Sequence, residues 1–350
     1  MIDATFAETV LKKPGAIKRK AVGLSPTSLV KTSRLPGNNL LPLVVEPAFR
    51  DVNLVEWATN NREFVKKNIH ESGGILFRNF NVSNADDFED FAKAASGSEL
   101  LEYRERSSPR SQISGNVYTS TDYPADHNIF LHNENSYQHT WPLRIFFYCA
   151  QAALTGGETP IADTRRIRVR IPQEIQQRFI EKKWMYVRNF SERFGLPWQT
   201  VFQTTDKSVV EEYCRRNGIM VEWREDDRLT TRAIRPVITR HPETGEDVWF
   251  NHATFFHVTT LEPTVRDVFL TAFKEEDLPT NTYYGDGTPI ESAVLDELRD
   301  IYRAETVSFP WQEGDVLMLD NMLAAHGRSS YSGPRKIFVA MTDPISRDDA

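Results

Sequence analysis

Two histidines and a glutamate in this chain have the types and spacing to share one metal ion. His132 and Glu134 stand two residues apart in the run Phe130-Leu131-His132-Asn133-Glu134-Asn135-Ser136-Tyr137. His326 comes far downstream, after the apolar run Leu319-Asp320-Asn321-Met322-Leu323-Ala324-Ala325 and before Gly327-Arg328. In an extended segment residues i and i+2 project from one face, so His132 and Glu134 can point into a common cavity while Asn133 points away. A third ligand on a neighbouring strand would complete two imidazoles and one carboxylate, a set that holds Fe(II) with positions left open for a co-substrate and dioxygen. Two histidines, a glutamate and water also suit Zn(II), so the residues alone leave a zinc hydrolase open. The His-x-Glu spacing by itself is weak, since it arises by chance and an isolated histidine is more often structural. Of the competing histidines, His127 and His139 flank the run, and His252 and His257 lie around a Phe-rich segment; none of these four has a carboxylate two residues on. His139 is expected at the surface or facing substrate. His252, beside Asn251, is expected to support the site or touch substrate.

Positioning these groups requires strands. Residues 141–150 are rich in Ile, Phe and Tyr and read as a core strand, and residues 315–320 and 335–341 read as two more on either side of a loop carrying His326. Residues 156–163, beginning with Gly156-Gly157, read as a tight turn running into another short strand, and residues 219–260 alternate like antiparallel strands. Before these, residues 40–45 and 75–80 read as strands, residues 53–69 as one helix stopped by Gly73-Gly74, and a further helix starts at Ser83 or Asn84 beneath an acidic first turn. Helices are also expected from Pro172 to about residue 184, from Asp206 to Gly218, and over residues 290–304. Residues 101–123 are polar and irregular, a kind of segment that often carries side chains into a site. Several short strands with helices at the margin suggest a mainly β fold with flanking helices, a double-stranded β-helix or jelly roll. The first 38 residues, rich in Lys, Ser, Thr and Pro, read as an irregular arm; residues 39–350 read as one domain with a helical insert around 165–220.

Composition excludes some classes. A formal charge of -7 over 350 residues, with no basic tract, argues against a nucleic-acid partner. No apolar run is long enough for a membrane span or signal peptide, and two cysteines make no disulfide framework. A cytoplasmic protein with a small-molecule substrate is expected.

Residues 130–163 and 314–341 resemble the TauD/TfdA-like family of Fe(II)/2-oxoglutarate dioxygenases, more closely the branch typified by the syringomycin biosynthesis protein SyrP. The likeness lies in His-Asn-Glu-x-Ser-Tyr from His132, in Gly-Gly-Glu-Thr-Pro-Ile-Ala-Asp ending at Asp163, and in Trp-Phe-Asn ending at Asn251. It implies a clavaminate synthase-like jelly roll, Fe(II) bound by His132, Glu134 and His326, and 2-oxoglutarate and O2 as co-substrates. By the same resemblance Arg335 pairs with the far carboxylate of 2-oxoglutarate and the Thr159 hydroxyl helps hold it. A guanidinium is a planar fork suited to that task, and alternation along a strand lets only one of Arg335 and Lys336 face inward. Arg328 is a weaker candidate that could brace the loop instead. Family members that halogenate carry a small residue where this chain has Glu134, so the retained carboxylate implies hydroxylation, with desaturation and ring closure left open. The SyrP-like branch implies an amino-acid substrate, free or tethered to a carrier protein, in secondary metabolism. Asn116, Tyr118, Ser136, Asn251 and His252 are the polar candidates for reading it; Arg144 or Arg232 could serve an anionic group.

Overall fold

The computed structural model describes residues 29–37, 40–102, 111–121, 123–191 and 196–349. Its centre is the strand Thr140–Gln151, which pairs antiparallel with Val316–Asp320 on one side and with Lys336–Ser346 on the other. Alternation sorts its side chains to two faces. Ile145, Phe147 and Cys149 join Leu317, Leu319, Ile337 and Val339 in the interior of the roll. Phe146 and Tyr148 point the other way, into a core shared with Trp57, Val65, Ile69, Phe88 and Phe91 of the early helices. Both faces are therefore apolar over residues 145–150, and that part of the strand reads as a continuous hydrophobic run.

This strand belongs to an eight-stranded sheet ordered Val30–Arg34, Leu43–Pro47, Gly74–Phe77, Val316–Asp320, Thr140–Gln151, Lys336–Ser346, Val117–Thr119 and Gln112–Ser114. Facing it is a three-stranded sheet, Ile129–His132, Ala324–Arg328 and Ile161–Asp163, whose Ile161 and Ala324 close the same interior core. The protein is thus mainly β with helices packed outside, the jelly roll expected from the pattern of strands.

Five local expectations need correction. The segment 101–123, expected to be irregular, supplies the short strands Gln112–Ser114 and Val117–Thr119. Residues 30–34, assigned to an irregular arm, form the edge strand of the large sheet; the rest of that arm, apart from residues 29 and 35–37, lies outside the described residues. The helix expected over residues 53–69 is two, Leu54–Asn60 and Arg62–Ser72, because Asn61 leaves helical geometry at φ -130° and turns its Nδ2 onto Trp57 O. His326 is not in a loop: it lies within the strand Ala324–Arg328. The segment expected as a helical insert holds helices Thr164–Arg170, Gln173–Lys182, Trp198–Phe202 and Lys207–Arg216, but also strands. Trp184–Phe190 and Ile219–Trp223 enter a four-stranded sheet with Leu229–Arg235 and Thr280–Tyr284. Both cysteines are buried, and neither takes part in a disulfide.

Candidate active site

His132 ends the strand Ile129–His132 and sits directly opposite His326 in the antiparallel ladder. Cross-strand neighbours on one face stand close enough to act together, and the two imidazole centroids are 4.5 Å apart. The chain then turns, bringing Glu134 over the pair. Its Oε2 is 3.9 Å from His132 Nε2 and 3.8 Å from His326 Nε2. Those separations are too long for hydrogen bonds, yet one ligand atom from each residue lies within 4.8 Å of the others. His132 Nδ1 is hydrogen-bonded to Phe130 O at 3.0 Å, which orients the ring and leaves Nε2 toward Glu134. Two nitrogens and one buried carboxylate oxygen facing a shared point fit Fe(II) by donor type and number. Just past His326 the ladder slips register at Gly327, where an added Cβ would lie 2.6 Å from Ile129 O. Only glycine lets the two backbones approach this closely.

Beside the triad a narrow crevice is walled by His132, His326, Phe147, Thr159, Ile337 and Arg335. Arg335 Nε donates to Gly157 O at 2.8 Å and Nη1 to Ser120 Oγ at 3.2 Å, while the guanidinium lies 5.4 Å from the Tyr331 ring centre. Burial, helped by the nearby Arg328 charge, pulls its pKa down to about 10, so it stays a cation at neutral pH. Gly157, at φ +76°, makes room for it, since a Cβ there would sit 3.0 Å from Arg335 Cδ. Lys336 is exposed, as strand alternation requires. Thr159 is buried and accepts a hydrogen bond from Trp311 Nε1 at 3.2 Å. Trp311 carried no signal in the sequence that would have brought it to this place. Arg328 braces a loop, donating to the carbonyls of Tyr123, Pro124 and His127.

On the other side of the triad lies a cavity of about 920 Å³ bordered by Glu134, Asn135, Tyr137, His252, Phe255 and Phe256, with Arg266 and Arg303 farther out. Ser136, fully buried, is hydrogen-bonded to His252 Nδ1 and holds that ring against the cavity. Burial, reinforced by the neighbouring His132, keeps His252 neutral, its pKa well below the usual imidazole value. The Asn251 carboxamide is committed to Val237 O and Ala253 N. Tyr118 OH donates to Asn116 Oδ1, Asn116 Nδ2 donates to Leu100 O, and neither residue borders the large cavity. Arg144 is buried against Asp320 and Glu243, and Arg232 pairs with Glu222 in the second sheet. His139 lies 3.4 Å from Asp348 at the surface. The aromatic wall of Phe255 and Phe256 went unassigned because a Phe-rich segment reads equally well as core. The spacing His241-Pro242-Glu243 repeats His-x-Glu, but His241 bonds the buried Asp320 at 2.9 Å and Glu243 bonds His70 at 2.9 Å. Spacing alone would have drawn a false site there.

Residues 36–341 match the family model described as taurine catabolism dioxygenase TauD, TfdA family. The dapdiamide synthesis protein DdaC of Enterobacter agglomerans is 43% identical over 278 residues, covering 79% of this chain and 84% of that protein. A clavaminate synthase-like protein of Arabidopsis thaliana is 31% identical over 290 residues, covering 80% of this chain and 84% of its own length. Among solved structures, PvcB from Pseudomonas aeruginosa superposes with a TM-score of 0.55 at 14% identity, covering 92% of this chain and 94% of that one. A taurine dioxygenase from Burkholderia xenovorans gives 0.52 at 14% identity, over 92% and 93%. At that identity both bear on the fold alone, and it is the jelly roll described above. With the family model spanning most of the chain and two relatives above 30% identity, the chain belongs to the TauD/TfdA family and is an iron- and 2-oxoglutarate-dependent dioxygenase.

Proposed function

We propose that this enzyme hydroxylates an unactivated C–H bond of an amino acid or amino-acid derivative in secondary metabolism, with His132, Glu134 and His326 holding the iron. One observation carries the reading: a half-buried, partly desolvated guanidinium and a threonine hydroxyl share a crevice with the two imidazoles. A zinc hydrolase would need a general base near its metal and would not require this pairing. When bound there, iron supplies the redox chemistry that couples decarboxylation of 2-oxoglutarate, giving succinate and carbon dioxide, to oxidation of the substrate.

The chain's own residues do the rest. Arg335 receives the far carboxylate of 2-oxoglutarate, its fork already steadied by Gly157 and Ser120. Thr159, held by Trp311, offers a hydroxyl to the same carboxylate. Substrate enters the larger cavity, where Phe255 and Phe256 exclude water and neutral His252 offers a polar contact beside Glu134. Ser136 acts through His252, whereas the committed side chains of Asn251, Asn116 and Tyr118 favour structural work.

The likeness to a dapdiamide synthesis protein supports an amino-acid-derived substrate. A cavity of about 920 Å³ would take either a free or a carrier-linked one. No helix among the described residues is long and apolar enough to cross a membrane, which is compatible with a cytoplasmic enzyme. Screening free and carrier-linked amino acids for substrate-dependent succinate release tests the reading. The product should gain one oxygen; loss of two hydrogens would instead indicate desaturation or ring closure. His132→Ala should abolish succinate formation without changing the circular dichroism spectrum, and undiminished turnover would refute the ligand assignment.

A further inference from the structure

Asn321 is completely buried in the turn between the strands Val316–Asp320 and Ala324–Arg328, and its side chain is spent almost wholly on one other residue. Its Oδ1 accepts the backbone N–H of Glu134 at 2.7 Å. Its Nδ2 donates to the carbonyl of Glu134 at 2.9 Å and to that of Pro142 at 2.8 Å. The contact is returned, since Asn133 Nδ2 donates to the Asn321 carbonyl at 2.6 Å. A carboxamide has two donors and one acceptor oxygen, so three of its strongest bonds are committed here.

We propose that Asn321 is a positioning residue for the metal site, a latch that fixes the Glu134 carboxylate relative to His326. The inference rests on the reading of Glu134 and His326 as ligands. Both backbone polar groups of Glu134 are held by one side chain, which fixes the peptide planes on either side and hence the direction of its Cα–Cβ bond. Glu134 lies in a turn, where the ladder that aligns His132 with His326 no longer constrains it. The other end of the latch is stiff. Asp320 Oδ1 accepts from the N–H groups of Met322 and Leu323, and Thr164 holds Met322 O through its Oγ1 and Leu323 O through its N–H. This short, buried connection leads straight to His326. One asparagine thus joins two segments 187 residues apart in sequence and sets the spacing between their metal-facing groups.

A residue that only stabilised its own turn would affect folding and leave metal affinity alone. The test is anaerobic titration with Co(II) alone, read by its visible d–d absorption, for the wild type, Glu134→Ala, Asn321→Ala, Asn321→Ser and Thr164→Ala. Each is held at a temperature where circular dichroism shows it folded. Thr164→Ala is the control, because it breaks a bond of the same connection without touching Glu134. Asn321→Ala and Asn321→Ser should bind Co(II) about 10- to 100-fold more weakly, the range for groups that orient metal ligands, with an altered absorption envelope. Thr164→Ala should bind as the wild type does. Should neither Asn321 variant fold, Asn133→Ala removes the return bond and should weaken binding in the same direction. Weakened Glu134→Ala alongside wild-type affinity in the Asn321 variants, or in Asn133→Ala where it stands in, would overturn this latch alone. Equal weakening in Thr164→Ala would overturn it too, and unchanged affinity in Glu134→Ala would overturn the ligand reading with it.

Discussion

Arg335 combines three things at one atom cluster: fixed orientation, low hydration and proximity to the imidazoles. Gly157 and Ser120 align the guanidinium, and the surrounding burial has already removed much of its water. A carboxylate arriving there meets a fork that needs little further desolvation. Lysine would keep the charge but lose the fork. Arg335→Lys should therefore weaken 2-oxoglutarate binding about 10- to 100-fold, as losing charge-assisted hydrogen bonds of about 1.5–3 kcal/mol implies. The check is an anaerobic titration of the Fe(II) protein followed by its visible charge-transfer band; an unchanged midpoint would remove Arg335 from the co-substrate site. At this scale the site was legible where chemistry restricts residue type. His132, Glu134 and His326 could be singled out by donor character and spacing, and the structure brings them together; Arg335 was singled out by family resemblance and lies in the adjoining crevice. Trp311, Phe255 and Phe256 could not be read, because nothing local distinguishes an aromatic that walls a cavity from one that fills a core.

At the scale of elements, the connection between Val316–Asp320 and Ala324–Arg328 is held by charge as well as by the asparagine beside it. Asp320 is fully buried and meets Arg144 Nη1 at 2.6 Å and His241 Nε2 at 2.9 Å. Burial alone would raise the Asp320 carboxyl; the Arg144 charge and the His241 hydrogen bond outweigh it and hold the pKa below the usual carboxylate range. A carboxyl depressed in the folded state contributes stability that is present above its unfolded pKa of about 3.9 and is lost as pH falls toward the lower folded value. Asp320→Asn should thus lower Tm clearly at pH 7, since breaking a buried pair costs about 3–5 kcal/mol. That difference from the wild type should shrink as pH drops below about 4. Thermal melts across pH 3 to 7 would show it, and a constant gap would assign the stability to packing instead. Elements with aromatic and apolar runs, such as residues 145–150 of Thr140–Gln151, could be read in advance because burial on both faces leaves a continuous apolar signal. The break at Asn61 could not, since one asparagine in a helical pattern does not reveal that its side chain will bond Trp57 O. Nor could the strand Trp184–Phe190, whose place in the second sheet depends on partners nearly fifty and a hundred residues away.

For the whole molecule, the apolar interior of the roll and the helix-covered outer core share the central strand Thr140–Gln151. Fold class was readable because that sharing imposes itself on composition, with continuous apolar strands in the middle and amphipathic helices at the edges. Of the second sheet only the strands within residues 219–235 were readable; Trp184–Phe190, Thr280–Tyr284 and the broad cavity beside the triad were not, because tertiary contacts alone define them. The pairing of Thr140–Gln151 with Lys336–Ser346 also governs how the chain reaches this state. Partners so distant in sequence must search for one another before either is rewarded, and topologies rich in such pairings refold slowly. His326 pairs with a strand nearly two hundred residues earlier and Arg335 adjoins another such pairing, so both should be placed late, whereas the early helices gather from local contacts. On dilution from denaturant, far-ultraviolet circular dichroism should recover well before the capacity to develop the Co(II) absorption band, and simultaneous recovery would contradict this order. A nascent or partly unfolded chain would then be helical and collapsed yet unable to hold a redox-active ion, so that oxidising chemistry begins only in a molecule already complete enough to contain it.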